Sequence, residues 1–455
     1  MISIFRDLPE LLSRLSGWTY TSMYCGAGGD SWGAFCAGGL VRFALNHNET
    51  ALASHELNFR ECLHACVDIF TSNPDDYPAT DVLWVSADCR NHSTSKGIKL
   101  KKQKVKGTLW DDGDQLDPVY RTRMTMRETY RWANAKIKRN QPYKYILMEN
   151  VPEIEHWAYY HIFLAEMRSL GYEIEIFSIN SQHYDVAQSR DRWYAICWYK
   201  GMPRPRFDFL RPLGMCLYCE QEVETEQYWK NPQKKKCSKY GRQYIYRCPR
   251  CHKEVRPYTV PAYECIDWSI QAPKIRDRHL YPRLKDELAP NTIARIEEGL
   301  RQYCMGATEE PFLIETCRSY NEPRHAVRSV NAPAFTQTTA QSMGLVIPPA
   351  FLVSYYKNGH AFPITGQIGA LTSHARYGLL QLPGSVPPGE IPPLQECSFR
   401  MLNANECMRL HGFPPNYILV GSEEQKVAQV GRAVTPPVAT ALTLACVYPY
   451  AMGGA

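Results

Sequence analysis

YTSMYCGAGGDSWGAFCAGG, residues 20–39, runs from an apolar, strand-like segment through a glycine-rich turn into a helix candidate. Gly26, Gly28 and Gly29 let the backbone turn tightly and come close to a ligand. In doubly wound sheets, ligands sit at the carboxyl ends of the strands, which is where this turn falls. Working outward, the runs DVLWVS, KYILMEN and RWYAICWY alternate with helical patterns between residues 18 and 200. That alternation predicts a Rossmann-like, doubly wound α/β domain of parallel strands joined by crossover helices over residues 1–200. After GMPRPRFDFLRP the composition shifts to cysteine pairs, lysines, tyrosines and prolines, so residues 201–395 are expected to form a second, irregular domain. Residues 396–455 return to an apolar, helical style and are expected to pack back on the first. Within them Asn403 and Glu406 have the spacing of a helix-start capping box.

A chain of 455 residues, 44% hydrophobic, can bury a large core and exceeds one ordinary domain. No stretch of about 18 apolar residues stands out and the first residues lack a signal-peptide pattern, so the expectation is a cytoplasmic protein without a membrane segment. Seventeen scattered cysteines then read as reduced thiols with metal-binding or catalytic subsets. The net charge of +6 permits a polyanionic partner. KGIKLKKQKVKG, residues 96–107, concentrates six lysines, Lys96, Lys99, Lys101 and Lys102 among them. A solvated loop and a phosphate-contacting loop both have such a composition, the second gaining free energy by releasing condensed counterions.

SADCRNHS, residues 86–93, puts Cys89 just beyond the run DVLWV. Lone cysteines are usually small buried hydrophobes, but Asp88, Arg90, Asn91 and His92 make this context polar. In YILMENVPEI, Glu149 and Asn150 end another strand, where a carboxylate is either a cap or an acid facing the same cleft as Cys89. In DVAQSRDRWYAICW, period two sends Gln188, Arg190 and Arg192 to one face, a surface feature or a grip on an electron-rich oxygen. Asn46 and Asp68 follow apolar runs as turn residues or as receivers of ribose and adenine groups. MCLYC and RCPRC place Cys216, Cys219, Cys248 and Cys251 as two CxxC knuckles, the spacing of a structural tetrahedral zinc site in a ribbon at about 212–256. Cys237 and His252 fit that geometry less well. Between the knuckles, aromatics mixed with lysine and arginine suit a DNA-contacting hairpin.

Together these stretches resemble the DNA cytosine-carbon-5 methyltransferases over roughly residues 18–200 and 398–447. YCGAGG is similar to that family's cofactor loop, DCRNHS to its nucleophile loop, MENV to its Glu-Asn-Val and QSRDR to its Gln-x-Arg-x-Arg. RMLNANECMRLHGFP resembles its support helix, GRAVTPPVA its closing segment, and RHAVRSVNAPAFTQTTAQSMG the start of its target-recognition domain. The resemblance implies an S-adenosylmethionine-dependent enzyme acting on a cytosine flipped out of double-stranded DNA. Cys89 would be the nucleophile toward carbon 6, Glu149 would hold the ring nitrogen and amino group, Asn150 would stand beside it, and Arg190 and Arg192 would orient the base oxygen and the thiol loop. Tyr24, Gly26, Gly28, Gly29, Asn46, Asp68, Ile69, Asp88, Arg432 and Ala433 would lie around the cofactor. Gln188 and the lysine loop would meet DNA.

Three positions depart from that pattern. Asp88 stands where the family has proline, Asn46 where it has a ribose-binding acid, and Arg432 where it has an asparagine close to the transferred methyl. A carboxylate beside Cys89 raises the thiol's pKa unless it is paired with Arg90 or Arg432, and pairing is the expectation. Arg432 also suggests an alternative donor, carboxy-S-adenosylmethionine, whose carboxylate a guanidinium could grip to give carboxymethylcytosine. A reading of another class is a catalytically silent DNA-binding relative. An RNA substrate is not ruled out by the residues, although so large a middle domain suits duplex reading better. A monomer is expected. A cognate restriction endonuclease is the partner such an enzyme has in restriction-modification, and no residue requires one.

Overall fold

The computed structural model describes residues 17–89, 92, 118–234, 239–282, 287–303, 311–316, 322–347, 351–354, 361–363, 377–380 and 393–451. Its centre is a seven-stranded sheet of β1 (Thr19–Met23), β2 (Leu40–Asn46), β3 (Leu63–Cys66), β4 (Val82–Val85), β5 (Tyr145–Asn150), β6 (Tyr172–Asn180) and β7 (Asp191–Tyr199), in the order β3-β2-β1-β4-β5-β7-β6. Strands β1 to β5 are parallel, as the alternation predicts. The expectation of an all-parallel sheet fails at β7, which runs antiparallel to both β5 and β6. Helix Tyr160–Ser169 crosses over to place β6 two positions beyond β5, which leaves a gap one strand wide. The short link from β6, one 3-10 turn at Ser181–His183, then lets β7 only double back into the gap.

The central strands are apolar throughout because both faces are covered. Trp84, Tyr145 and Leu147 join the core on one face, with Leu442 and Ala445 from helix Pro436–Ala451. Leu83, Val85, Ile146 and Met148 join the other, with Trp132 and Phe163 from helices Glu128–Lys138 and Tyr160–Ser169. The segment Glu423–Pro449 is long and apolar enough by composition to span a bilayer, contrary to expectation, but 89% of its most apolar window is buried inside the protein.

Residues after 201 build smaller sheets. Hairpins β8 (Leu213–Cys216) with β9 (Gln221–Glu224), and β10 (Glu226–Trp229) with β11 (Tyr244–Arg247), come first. A four-stranded antiparallel sheet follows, of β12 (Phe312–Glu315), β13 (Val327–Ser329), β14 (Met343–Ile347) and, from the far end of the chain, Ser398–Met401. The strand Ser398–Met401 therefore belongs to this sheet by pairing, although its composition groups it with the returning tail. Immediately after it, helix Ala404–His411 starts with the capping box foreseen from Asn403 and Glu406. Glu406 N donates to Asn403 Oδ1 and Asn403 N to Glu406 Oε2, both at 2.9 Å.

Candidate active site

Parallel pairing aligns the ends of β4 and β5, with Val85 opposite Met148. Cys89 follows β4 by a short loop, and Glu149 and Asn150 are the last residues of β5. Because β7 is antiparallel, its first residues lie at the same edge, Glu149 opposite Tyr194 and Asn150 opposite Trp193. The edge thus gathers Cys89, Glu149 and Arg192 from three stretches remote in sequence. Arg192 Nε stands 2.9 Å from Glu149 Oε1, with the two side chains only 13% and 7% exposed, so each buried charge compensates the other. Asn150 Nδ2 donates to Ala87 O at 3.4 Å, which ties the Cys89 loop to β5.

Cys89 is half-buried. Burial pushes its thiol above the ordinary range; Arg192 pulls it back, Glu149 pushes it up, Arg190 pulls it back and Asp88 pushes it up, in decreasing order of effect. Asp88 is therefore the weakest of the four charges acting on the sulfur, weaker than its adjacency in sequence suggests. Among the described residues no ion pair joins it to Arg432, and Arg90 lies outside them. His92 is buried, and that burial, with Arg123 nearby, pulls its imidazolium down to about 4.

Beside this edge lies a cavity of about 240 Å³ lined by Tyr24, Leu45, Asn46, His47, Val67, Asp68, Ile69, Phe70, Asp88, Arg121, Thr122 and Thr125. Its lining fits an adenosyl group: apolar walls for a purine, with the carboxylates of Asp88 and of Asp68, the latter already paired with Arg121, at its polar side. Five residues foreseen for the cofactor (Tyr24, Asn46, Asp68, Ile69 and Asp88) line it. Asn46 Oδ1 is partly engaged, accepting from Asn48 N at 2.9 Å. Arg121, Thr122 and Thr125 had no sequence signal. Arg121 pairs with Asp68 and lies over the Phe70 ring at 5.0 Å, and the Tyr24 hydroxyl donates to Thr125 O at 2.8 Å.

Other expectations need correction. Gly28 and Gly29 leave no room for a side chain because protein packs against them. A Cβ on Gly28, whose φ is +83°, would meet Tyr417 OH at 2.6 Å, and one on Gly29 would collide with the Val434 carbonyl. Gly26, at φ +51°, serves the turn itself and does not line the cavity. Gln188 cannot touch DNA here: it is 0% exposed, its amide donates to His411 Nδ1 at 2.7 Å, and its Oε1 accepts from Gln337 N at 2.6 Å. Gln337 is buried in the same network. Arg190 spends its guanidinium on the carbonyls of Gln337 at 3.2 Å, Gly431 at 3.1 Å and Ala433 at 3.2 Å, so it positions the closing segment and does not reach for a base oxygen. Burial pulls that guanidinium down to about 10. Ala433 O also accepts from His411 Nε2 at 3.0 Å, and neither Ala433 nor the exposed Arg432, last residue of helix Glu423–Arg432, lines the cavity. His411 is the buried centre of this network and was missed, because a histidine in a helix carries no signal of its partners. Lys96, Lys99, Lys101, Lys102, Asn91 and Cys237 lie outside the described residues.

In the middle segment the sulfurs of Cys216, Cys219, Cys248 and Cys251 all lie within 4.8 Å of one another, with Cys216 to Cys251 at 3.5 Å and Cys219 to Cys248 at 3.9 Å. Four converging thiols fit one tetrahedral ion. Tyr244 and Tyr246 of the adjoining hairpin are buried, so part of its aromatic content is core and not exposed surface.

Comparison with known proteins agrees with this geometry. Residues 125–447 match the family model of C-5 cytosine-specific DNA methylases, a match that begins after Cys89 and the glycine loop. The type II methyltransferase M.HhaI of Haemophilus parahaemolyticus is 24% identical over 210 residues, 44% of this chain, and the chain spans about half (55%) of the length of that curated relative. Among solved structures, a mutant DNMT2 of Spodoptera frugiperda aligns with a TM-score of 0.50 at 15% identity, covering 95% of this chain and all of that one. The Dnmt2 methyltransferase of S. pombe aligns with a TM-score of 0.50 at 14% identity, covering 95% and 99%. These two share the fold. With more than half of its length matched by the family model, the chain belongs to the C-5 cytosine-specific DNA methylase family.

Proposed function

We propose that this protein methylates carbon 5 of a cytosine flipped out of double-stranded DNA, through a transient covalent bond from Cys89. The observation that carries the reading is the buried Glu149–Arg192 pair set at the strand ends beside Cys89 and an adenosyl-sized cavity. Cys89 Sγ, as thiolate, adds to carbon 6 of the ring, and Glu149 supports that addition by holding a proton at the ring nitrogen and accepting from the amino group. Arg192 keeps the Glu149 carboxylate in place and favours the thiolate. S-adenosylmethionine supplies an electrophilic methyl on a positively charged sulfur. With that donor bound, carbon 5 would take the methyl and leave S-adenosylhomocysteine, and loss of the carbon-5 proton to solvent water as the bond to Cys89 breaks would restore the free thiolate. Plain methyl is favoured over carboxymethyl, because the exposed Arg432 stands off the cavity wall.

The middle segment is the target-recognition part in this reading, with Zn²⁺ held by Cys216, Cys219, Cys248 and Cys251. Trapping tests the whole proposal. Duplex DNA containing 5-fluorocytosine, incubated with S-adenosylmethionine, should give a denaturation-stable adduct that Cys89→Ser abolishes. A folded protein that binds both but forms no adduct would instead be a silent DNA-binding relative. A preference for single-stranded RNA carrying the same base analogue would reassign the substrate.

A further inference from the structure

A second set of metal-ligating side chains lies away from the Cys quartet and outside the chemistry above. His55, on helix Glu49–Asn58, and Cys62 and His64, in and before edge strand β3, bring three ligand atoms within 4.8 Å of one another. His55 Nδ1 and His64 Nε2 are 2.8 Å apart. The other nitrogen of His55 is bonded to Ser31 Oγ at 2.9 Å, the kind of outer hydrogen bond that fixes the orientation of a metal-bound imidazole. With metal–nitrogen bonds of about 2.0–2.1 Å and metal–sulfur of about 2.3 Å, donors on one tetrahedral ion lie roughly 3.3–3.6 Å apart. The imidazoles need to separate by only about half an ångström to accept one, and Cys62 needs to swing its thiol inward. That thiol now donates to the neighbouring Leu63 O at 3.3 Å, a weak bond because a thiol is a poor donor.

The surroundings suit a bound ion whose fourth position is left to water. His55 and Cys62 are buried, while His64 is half-buried on β3, which among the described residues pairs with β2 alone, so the sheet edge offers an access path. His55 also touches the underside of the glycine turn: a Cβ on Gly28 would meet His55 Cδ2 at 2.9 Å. Ser31, its other partner, lies in the first turn of helix Gly29–Cys36.

We propose that His55, Cys62 and His64 bind a thiophilic divalent transition-metal ion, Zn²⁺ in kind, which ties helix Glu49–Asn58 to β3 and braces the glycine turn from behind. One thiolate and two imidazoles select such an ion over Mg²⁺ or Ca²⁺, which take oxygen ligands. The site is independent of the Cys quartet and of the reaction assigned above.

The test uses the full chain, stripped by a chelator and titrated with Co²⁺, whose visible spectrum separates a four-thiolate site from a one-thiolate site. Two equivalents are expected. His64→Gln should lose one and keep the four-thiolate spectrum, whereas Cys216→Ser combined with Cys251→Ser should leave only the one-thiolate spectrum. Failure of the quartet and failure of this site thus give different results. Cys62→Ser, isosteric and close to the surface strand, should lose the single-thiolate band while keeping the circular dichroism of the parent. Uptake by His64→Gln and Cys62→Ser equal to that of the parent overturns the proposal, as does uptake confined to the quartet.

Discussion

Cys89 meets two opposing sets of charges, and their balance sets how much thiolate is available. Burial raises the thiol, so the rate of methyl transfer should climb with pH as the thiolate forms. Asp88→Asn removes a charge that pushes the thiol up, so the rising limb should move to lower pH; Arg192→Gln removes the strongest charge that pulls it down, so the limb should move to higher pH. Single-turnover rates from about pH 6 to 10 check both directions, and an unmoved limb in Asp88→Asn would mean that a partner neutralises its charge. Glu149→Gln keeps the shape but cannot hold a ring proton as a carboxylate does, and it leaves Arg192 without its counter-charge. Turnover should fall by about 10²–10³-fold, while DNA binding measured by anisotropy changes far less.

Elements outside the sheet are held by caps and buried ion pairs that can be ranked by energy. Glu406 is fully buried, pairs with Arg400 at 2.7 Å, accepts from Asp267 N at 2.9 Å and completes the capping box of helix Ala404–His411. Glu406→Ala strands the Arg400 guanidinium and should cost about 3–5 kcal/mol in urea unfolding. Asn403→Ala removes only one cap bond and should cost about 1 kcal/mol, so equal losses in the two variants would refute this ranking. Arg190 presents a planar fork to three carbonyls on two segments, which the single ammonium of lysine cannot match. Arg190→Lys should loosen the closing segment, seen as faster amide exchange at Gly431 and Ala433 and a lower turnover.

At the scale of the molecule, the cofactor-side sheet and the middle segment are held by different means. The sheet has two extensive apolar cores, whereas the β8–β9 hairpin and the segment after β11 share a small one of Cys216, Val223, Cys248 and Val255, with Cys219 and Cys251 packed against it. So small a cluster supplies few kcal/mol on its own, and the ion offered to the four sulfurs should provide the rest. Removing it with a chelator, or Cys248→Ser, should open residues 213–256 to limited proteolysis and lower DNA affinity, while S-adenosylmethionine binding measured by calorimetry stays within about twofold. Loss of cofactor binding in Cys248→Ser would show that the two parts are not separable.

The sequence alone determined what is carried by local pattern. Central strands buried on both faces must be apolar runs, a capping box has a fixed three-residue spacing, CxxC knuckles bring sulfurs together through their own turns, and ordered motifs marked Cys89, Glu149 and Arg192. Only the tertiary structure decided the direction of β7, since an apolar strand reads the same parallel or antiparallel and the length of its connection selects between them. Only it showed that Gly28 and Gly29 yield to Tyr417 and Val434, that Gln188 and Arg190 satisfy backbone and His411 in place of DNA, and that Arg121 closes the cavity beside Asp68. Those roles depend on partners up to hundreds of residues away, and a side chain's hydrogen-bonding capacity is spent on whatever the fold brings within reach.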